Sequence, residues 1–287
     1  KFFYFMNKLN AYLNLIRFYN PIGFWLLLWP GMWGLFMSEN FEIKHFAIVL
    51  VGAFLTRSLG CAINDYFDIG FDSQVKRTKN RPLANKTLSK VEALICIIFL
   101  GMMCLFILYL TNLFVILFVL LVAAPLIIVY PLTKRFLPIP QLFLGLTFGL
   151  SLPISYAIVE QNISFDILLM YLACVCWITA YDSLYAMNDI EDDKKISINS
   201  LPIFFGQNRY IAIQVFFGIF LAIMFFISFK NSLSILSIGI FFIIYQIYFQ
   251  IKLSKSGQHF EAFQSNSHIG LVIATLIFLE NHHDLLY

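Results

Sequence analysis

Residues 91–110 read VEALICIIFLGMMCLFILYL, an apolar run in which Glu92 is the only charged residue. A helix of this length crosses the hydrocarbon core of a bilayer, because each residue adds about 1.5 Å and the core is about 30 Å thick. The whole chain shares this character: its 287 residues are 60% hydrophobic and 12% charged, and 33 of them are Phe. This composition excludes an ordinary water-soluble enzyme and predicts a membrane protein.

Apolar runs of spanning length continue on both sides of this segment. We predict nine transmembrane helices, at about residues 18–38, 44–66, 91–110, 112–131, 139–160, 165–188, 209–229, 232–251 and 266–284. Because these spans use nearly the whole chain, we expect an all-α integral membrane protein with a single transmembrane domain over residues 1–287 and no separate soluble domain.

The basic residues indicate the orientation in the membrane. Lys44 and Lys230 fall on one side and Arg57 lies within a span, whereas all other Lys and Arg precede span one or follow spans two, four, six and eight. The positive-inside rule places that second side in the cytoplasm. The lack of a targeting presequence favours a bacterial inner membrane. Since the basic residues are not grouped beside exposed aromatic surfaces, we expect membrane lipids as partners and no nucleic acid.

One short pattern occurs twice. Residues 62–68 read AINDYFD and close span two, and residues 186–192 read AMNDIED and close span six. Both fit the pattern of Ala, a hydrophobic residue, Asn, Asp, two variable residues and Asp. The repeat predicts two four-helix units plus a ninth helix around a central cavity, with the functional site between the units.

The repeated segments contain two acidic clusters with helical spacing. Six of the 16 acidic residues are concentrated there: Asp65, Asp68, Asp72, Asp189, Asp192 and Asp193. On a continuous helix each set lines one face, and two carboxylates about 4 Å apart repel by about 4 kcal/mol at an effective dielectric constant near 20. Oxygen ligands without His or Cys suit Mg²⁺. Solvated loop acids, or the ion-binding carboxylates of a cation transporter, are the alternatives.

Two ionisable residues lie inside spans, where an isolated charge is costly. Arg57 precedes Asp65 by eight residues, and Asp182 precedes Asp189 by seven. At about 1.5 Å per residue, both lie roughly 10 to 12 Å below the acidic ends of their helices. Either the two residues form an ion pair that braces the two halves, or they belong to the functional site.

Both aspartate motifs resemble those of a known family. Asn64, Asp65, Asp68 and Asp72 resemble the first aspartate-rich motif of the UbiA superfamily of intramembrane prenyltransferases, and residues 185–193, YAMNDIEDD, resemble the second. The resemblance extends along almost the whole chain and is greatest to the branch that prenylates 4-hydroxybenzoate in ubiquinone biosynthesis. Other matching stretches are residues 17–23 (RFYNPIG), 81–84 (RPLA), 130–135 (YPLTKR), 140–145 (PQLFLG) and 200–206 (SLPIFFG).

The chain departs from that branch at two positions. Asn20 and Asn199 stand where the branch commonly has Lys. A basic contact is therefore expected to be missing at Asn20.

The resemblance implies transfer of a polyprenyl group from polyprenyl diphosphate to the carbon ortho to the hydroxyl of 4-hydroxybenzoate, with release of diphosphate. It implies Mg²⁺ held by Asn64 and the two clusters, among which we expect Asp65, Asp68, Asp72, Asp189 and Asp193 to be catalytic and Asp192 to serve as a metal ligand. A related enzyme with another aromatic acceptor, such as a naphthoate or homogentisate, remains an alternative, as does a cation-coupled transporter of a different class.

The resemblance, together with the positions of the charged residues in and near the spans, indicates which residues bind the two substrates. Tyr130, Lys134 and Arg135 are expected to hold phosphate oxygens, and Arg17 lies where it could approach them. Arg57 is expected to receive the acceptor carboxylate, with Asp182 orienting it or contacting the substrate. The full expected set is Arg17, Arg57, Asn64, Tyr130, Lys134, Arg135 and Asp182.

Overall fold

The computed structural model describes residues 2–75, 78–133, 135–195 and 197–282, and the side chains of residues 2–5 are outside this description. Within these ranges the chain forms helices, turns and loops and no strands. Two of the described helical segments are not α-helical, a π-helical turn at Val119–Ala123 and a 3₁₀ turn at Gly206–Asn208. The α-helices are α1 Phe2–Leu15, α2 Ile22–Phe36, α3 Ile43–Asp72, α4 Lys90–Tyr109, α5 Leu113–Phe118, α6 Ala124–Thr133, α7 Pro140–Gly149, α8 Ser151–Glu160, α9 Phe165–Ala186, α10 Ile190–Lys195, α11 Leu201–Phe205, α12 Arg209–Lys230, α13 Ser234–Lys255, α14 His259–Gln264 and α15 Asn266–Asn281.

Several of these helices join end to end into longer membrane spans. The joined spans are Leu113–Thr133, Pro140–Glu160, Leu201–Lys230 and His259–Asn281, which with α3, α4, α9 and α13 give eight described helices long and apolar enough to cross a membrane. Helix α2 is a further apolar helix of 15 residues. The predicted all-α membrane architecture is confirmed, and the predicted nine spans are matched when the short α2 is counted.

The helix ends differ from the prediction at both acidic clusters. Helix α3 continues to Asp72, beyond the predicted end at residue 66, so the first cluster lies on one unbroken helix. Helix α9 ends at Ala186, and residues 187–189 form a turn before α10 begins. There the side chain of Asn188 donates to the carbonyl oxygen of Tyr185 at 2.9 Å, a local bond that competes with helix continuation. The second cluster is therefore split between a turn and a new helix.

Helix α9 is the most buried of the described spanning helices and forms the centre of the bundle. Its Trp177 is fully buried and donates from Nε1 to Oδ1 of Asn266 on α15 at 3.0 Å. Trp33 on α2 likewise donates to the carbonyl oxygen of Gly270 at 2.8 Å. Because hydrocarbon offers no hydrogen-bond partners, these bonds satisfy buried polar groups and fix α15 against α2 and α9.

Small residues let the helices around the centre approach closely. A Cβ atom at Gly34 would overlap the carbonyl oxygen of Leu152 on α8, and one at Gly145 would lie 2.7 Å from the carbonyl oxygen of Val175 on α9. Such contacts are typical of membrane helix interfaces, where packing takes the place of a hydrophobic driving force. They bring α2 against α8 and α7 against α9.

Candidate active site

A cavity of about 700 Å³ lies at the end of the bundle where α3 and α9 end, and residues of α2, α3, α6, α7 and α9 line it. Arg135 and Asp192 are not among its lining residues, and Lys134 lies outside the described residues. Most of the site residues expected from the sequence share this one cavity: Arg17, Arg57, Asn64, Asp65, Asp68, Asp72, Tyr130, Asp182, Asp189 and Asp193.

The first aspartate cluster faces the cavity from α3. Asp65 and Asp68 are fully buried and Asp72 nearly so. Their spacing of three and seven residues places all three on one helix face, as the sequence predicts, because α3 remains helical through Asp72. Three carboxylates so close together and so little solvated require nearby cations.

Two arginines supply that positive charge. Arg17 donates from Nη2 to both carboxylate oxygens of Asp65, at 2.7 and 2.9 Å. Arg81 donates from Nη1 to Oδ1 of Asp65 and to Oδ2 of Asp72, at 2.9 Å each, and so bridges the two residues. The sequence alone assigned Arg81 no role, and its position in the RPLA stretch was the available signal.

The backbone of Arg17 is strained. Its φ angle of 59° lies in the left-handed region, which non-glycine residues rarely adopt. The guanidinium group donates from Nη1 to the carbonyl oxygen of Asn14 at 2.9 Å in addition to its bonds to Asp65. These contacts offset the strain and hold the side chain across the end of α1 toward the cavity.

Arg135 approaches the cluster from the other side. Its Nη2 atom lies 3.8 Å from Oδ1 of Asp68, and its guanidinium group lies 5.0 Å from the ring centroid of Phe71. Nη2 also donates to the carbonyl oxygen of Phe67 at 3.3 Å. The expected basic residue is therefore beside the first cluster, although it is not a lining residue of the cavity.

The second cluster divides into two parts. Asp189 and Asp193 line the cavity, and the backbone N–H of Asp193 donates to the carbonyl oxygen of Asp189 at 2.8 Å. The Oδ1 atom of Asp192 instead accepts a hydrogen bond from Nζ of Lys195 at 3.0 Å. Two of the three aspartates of this cluster therefore line the cavity, and Asp192 does not.

The donor chemistry at this end of the cavity fits Mg²⁺. In the described part of the chain, no three His, Cys, Asp or Glu side chains form a preassembled metal cluster. Mg²⁺ does not require one, since it binds through one or two carboxylates and completes its coordination with waters and substrate phosphates. The buried carboxylates of the first cluster, the half-buried Asp189 and Asp193 and the side chain of Asn64 line one cavity, and all offer hard oxygen donors.

Arg57 and Asp182 line the deeper part of the cavity. Arg57 donates from Nη1 to Sγ of Cys61 on its own helix, and its guanidinium group lies 5.9 Å from the ring centroid of Phe148. A Cβ atom at Gly23 would overlap that guanidinium group. The glycine of the NPIG stretch therefore makes room for Arg57, which remains directed at the cavity.

Two buried hydroxyl groups in the cavity were not predicted as site residues. Tyr181 and Ser200 are each 2% exposed and line the cavity. Neither hydroxyl has a hydrogen-bond partner among the residues that the structure describes. The signal for Tyr181 is its position eight residues before Asp189, which matches the position of Arg57 before Asp65. Its unpaired state depends on tertiary neighbours and is not visible in the sequence.

Comparison with known proteins adds three findings. Residues 27–272 match the model of the UbiA prenyltransferase family. The 4-hydroxybenzoate octaprenyltransferase of Neisseria meningitidis is 37% identical over 282 residues, which cover 95% of this chain and 94% of that protein. The apo structure of a UbiA homolog from Aeropyrum pernix K1 superimposes with a TM-score of 0.79 at 20% identity and covers 90% of this chain and 97% of that one.

A second solved structure has the same fold. It is a UbiA homolog from Archaeoglobus fulgidus bound to GPP and Mg²⁺, with a TM-score of 0.70 at 17% identity. The match covers 94% of this chain and 99% of that one. The architecture of the helical bundle is thus shared over nearly the full length of both solved chains.

Proposed function

The chain belongs to the UbiA prenyltransferase family, and on that premise we propose that it transfers a polyprenyl group from a polyprenyl diphosphate to 4-hydroxybenzoate. The new bond forms at the ring carbon ortho to the hydroxyl, and diphosphate is released. The name of the Neisseria relative supports this acceptor. The family match favours the enzyme over the cation-coupled transporter that the acidic clusters alone left open.

The observation that carries this proposal is that opposite ends of this cavity hold different charged groups. Its acidic end holds carboxylates of both clusters together with Arg17 and Arg81, and its deeper end holds Arg57. The eight residues of α3 between Arg57 and Asp65 separate the two ends by about 12 Å. A diphosphate at one end and a small aromatic carboxylate at the other therefore fit side by side.

Asp65, Asp68, Asp72, Asp189 and Asp193 would hold Mg²⁺. Bound there, Mg²⁺ supplies positive charge that favours departure of the diphosphate, as ions do in other phosphate chemistry. The bound Mg²⁺ of the Archaeoglobus relative is consistent with such a site.

The arginines around the first cluster provide donors for phosphate oxygens. Arg17, Arg81 and Arg135 surround the carboxylates of α3. Guanidinium groups suit this task because their planar N–H pairs bind phosphate in a bidentate manner. Tyr130 lines the same cavity and completes the phosphate side together with Lys134, as the family resemblance implies.

The acceptor binds at the deeper end. Arg57 holds its carboxylate, and Asp182 orients Arg57 or contacts the ring, which directs the hydroxyl end of the acceptor toward the acidic clusters. The bond between the allylic carbon and the diphosphate oxygen breaks, and its electron pair leaves with diphosphate. The ortho ring carbon supplies the electron pair of the new carbon–carbon bond, and loss of the ring proton restores aromaticity.

Apolar side chains protect the reacting carbon from water. Leu26, Leu27 and Leu144 line the cavity and give it an apolar wall. A wall of this kind excludes water, which would otherwise capture the allylic cation. The hydrocarbon tail of the donor lies in the apolar environment of the spanning helices, so a membrane location suits the substrate.

The helices and the relatives also support a cellular location. The eight spanning helices of the described residues and the bacterial relatives support an integral protein of a bacterial inner membrane. The distribution of Lys and Arg supports a cytoplasmic position for the acidic end of the cavity.

The test uses purified protein in lipid nanodiscs with 4-hydroxybenzoate, a polyprenyl diphosphate and Mg²⁺. Mass spectrometry should detect prenylated 4-hydroxybenzoate, and chelation of divalent ions should abolish it. A panel with a naphthoate and homogentisate tests the acceptor, since product from one of these alone would replace 4-hydroxybenzoate. Ion flux through proteoliposomes without any prenylated product would overturn the enzyme assignment.

A further inference from the structure

Two buried hydrogen-bond donors in the cavity lack partners within the described ranges of the chain. They are the hydroxyl of Tyr181 and Nε of Arg57. Nearly all buried polar groups in folded proteins are hydrogen-bonded, so unpaired ones require an explanation. Because both line the cavity, a ligand that enters it is the partner that their position suggests.

The two donors belong to different helices of the cavity wall, Arg57 to α3 and Tyr181 to α9. The Tyr181 hydroxyl is also within electrostatic range of Arg57, Tyr130 and Asp182. The donors therefore lie beside one region of the cavity, on two helices, α3 and α9.

Packing holds both side chains in place. The ring of Tyr181 contacts Trp177 edge-on, with centroids 5.0 Å apart, and Phe263, with centroids 5.8 Å apart. Arg57 is confined by Gly23 and by its hydrogen bond to Cys61. These contacts restrict the rotamers of both side chains, which lowers the entropic cost of binding.

The chemistry of the pair selects its ligand. A guanidinium N–H only donates, and a phenol hydroxyl donates readily, so the pair suits a group with two acceptor oxygens and negative charge. A hydrocarbon tail offers no acceptor. The diphosphate is expected about 12 Å away, at the aspartate clusters.

We propose that Tyr181 is a second binding residue for the aromatic acceptor, whose carboxylate accepts a hydrogen bond from the Tyr181 hydroxyl through one oxygen and from Arg57 through the other. This inference rests on the proposed function and extends it to the selection of the acceptor. A neutral phenol would leave two buried donors unpaired, and sites built around hydrogen bonds reject such analogues strongly. Tyr181 thus contributes to preference for an acid over a neutral acceptor.

Tyr181→Phe tests the proposal because it removes only the hydroxyl and keeps the ring contacts with Trp177 and Phe263. We expect the KM for 4-hydroxybenzoate to rise about 10-fold or more, as for loss of a hydrogen bond to a charged group. The KM for polyprenyl diphosphate and the Tm should not change. The matched control is Tyr245→Phe on α13, which removes an exposed hydroxyl outside the cavity and should leave all three values unchanged.

Acceptor selectivity provides a second readout. In the wild-type protein, kcat/KM for 4-hydroxybenzoate should exceed that for 4-hydroxybenzamide, and Tyr181→Phe should reduce this ratio about 10-fold. Isothermal titration of 4-hydroxybenzoate alone measures the same contact without turnover. An unchanged ratio, or equal increases in both KM values with a lower Tm, would overturn the proposal.

The experiment distinguishes failure of the proposed function from failure of the proposed role of Tyr181. If the wild-type protein and Tyr245→Phe form no prenylated 4-hydroxybenzoate, the proposed function fails. If both are active and Tyr181→Phe has the wild-type KM for 4-hydroxybenzoate, only the role of Tyr181 fails.

Discussion

Substitution of Arg81 tests how the negative charge at the acidic end of the cavity is neutralised. Its Nη1 atom donates to Asp65 and Asp72 at 2.9 Å each, so these two carboxylate oxygens lie no more than about 6 Å apart. Two charges at this separation repel by about 3 kcal/mol at an effective dielectric constant near 20. Arg81→Gln removes the cation and leaves Asp72 without a cationic partner among the described residues, whereas Asp65 keeps Arg17.

Without divalent ions, we expect the variant to unfold at a lower temperature. A loss of about 3 kcal/mol corresponds to a decrease in Tm of about 6 to 12 °C for a chain of this size. Mg²⁺ should restore most of the loss, because a bound ion replaces the missing charge between the same carboxylates. The wild-type protein should gain less from Mg²⁺, since Arg81 already neutralises them.

The assay is thermal unfolding of detergent-solubilised protein, followed by tryptophan fluorescence in EDTA and in Mg²⁺. Lys44→Gln is the control, because Lys44 pairs with Glu42 and both side chains are more than half exposed. A surface pair of this kind contributes about 0 to 1 kcal/mol, so its loss should change neither Tm nor the response to Mg²⁺. An equal decrease in Tm for Arg81→Gln in EDTA and in Mg²⁺ would refute the reasoning.

Two further predictions concern the separate ends of the cavity. Gly23→Ala places a methyl group against the Arg57 guanidinium and should raise the KM for 4-hydroxybenzoate about 10-fold, without changing the KM for the diphosphate. Steady-state kinetics measure both values. The control is Gly101→Ala, whose added methyl group meets no atom within 4 Å. The double variant Asp68→Ala, Asp189→Ala should lower kcat by about 100-fold or more. Mass spectrometry of the product measures kcat, and substantial residual activity would contradict the two-cluster metal site.

Much of the architecture was predictable from the sequence. In hydrocarbon, backbone polar groups must be satisfied within each span, so long apolar runs such as residues 91–110 form helices almost regardless of their neighbours. The spacing of Asp65, Asp68 and Asp72 likewise placed them on one face, because that inference needs only a continuous helix.

The second cluster shows where helical periodicity stops being informative. Asp189, Asp192 and Asp193 have the spacing of a helix face, yet α9 ends at Ala186 and the side chain of Asn188 bonds to Tyr185 within the turn. Asn and Asp are as compatible with a turn as with a helix, since their side chains bond to nearby backbone. A sequence pattern does not decide between the two.

The contacts of Arg81 and Tyr181 lie beyond sequence reasoning for a different reason. Arg81 reaches Asp65 and Asp72 because the loop after α3 turns back over the helix end. Among the described residues the hydroxyl of Tyr181 has no hydrogen-bond partner, and its ring packs against the aromatic rings of Trp177 and Phe263. Both facts are properties of three-dimensional packing.

The central claim is that the cavity has two ends with separate tasks, and Arg57→Leu tests it most directly. The variant removes the charge at the deeper end and leaves Arg17, Arg81 and both aspartate clusters in place. The measurement is the pair of KM values, for 4-hydroxybenzoate and for the polyprenyl diphosphate, compared with the wild-type protein. A rise of about 10-fold or more confined to 4-hydroxybenzoate is the predicted result, and an equal rise for both substrates would contradict the claim by showing that Arg57 braces the two halves of the bundle instead.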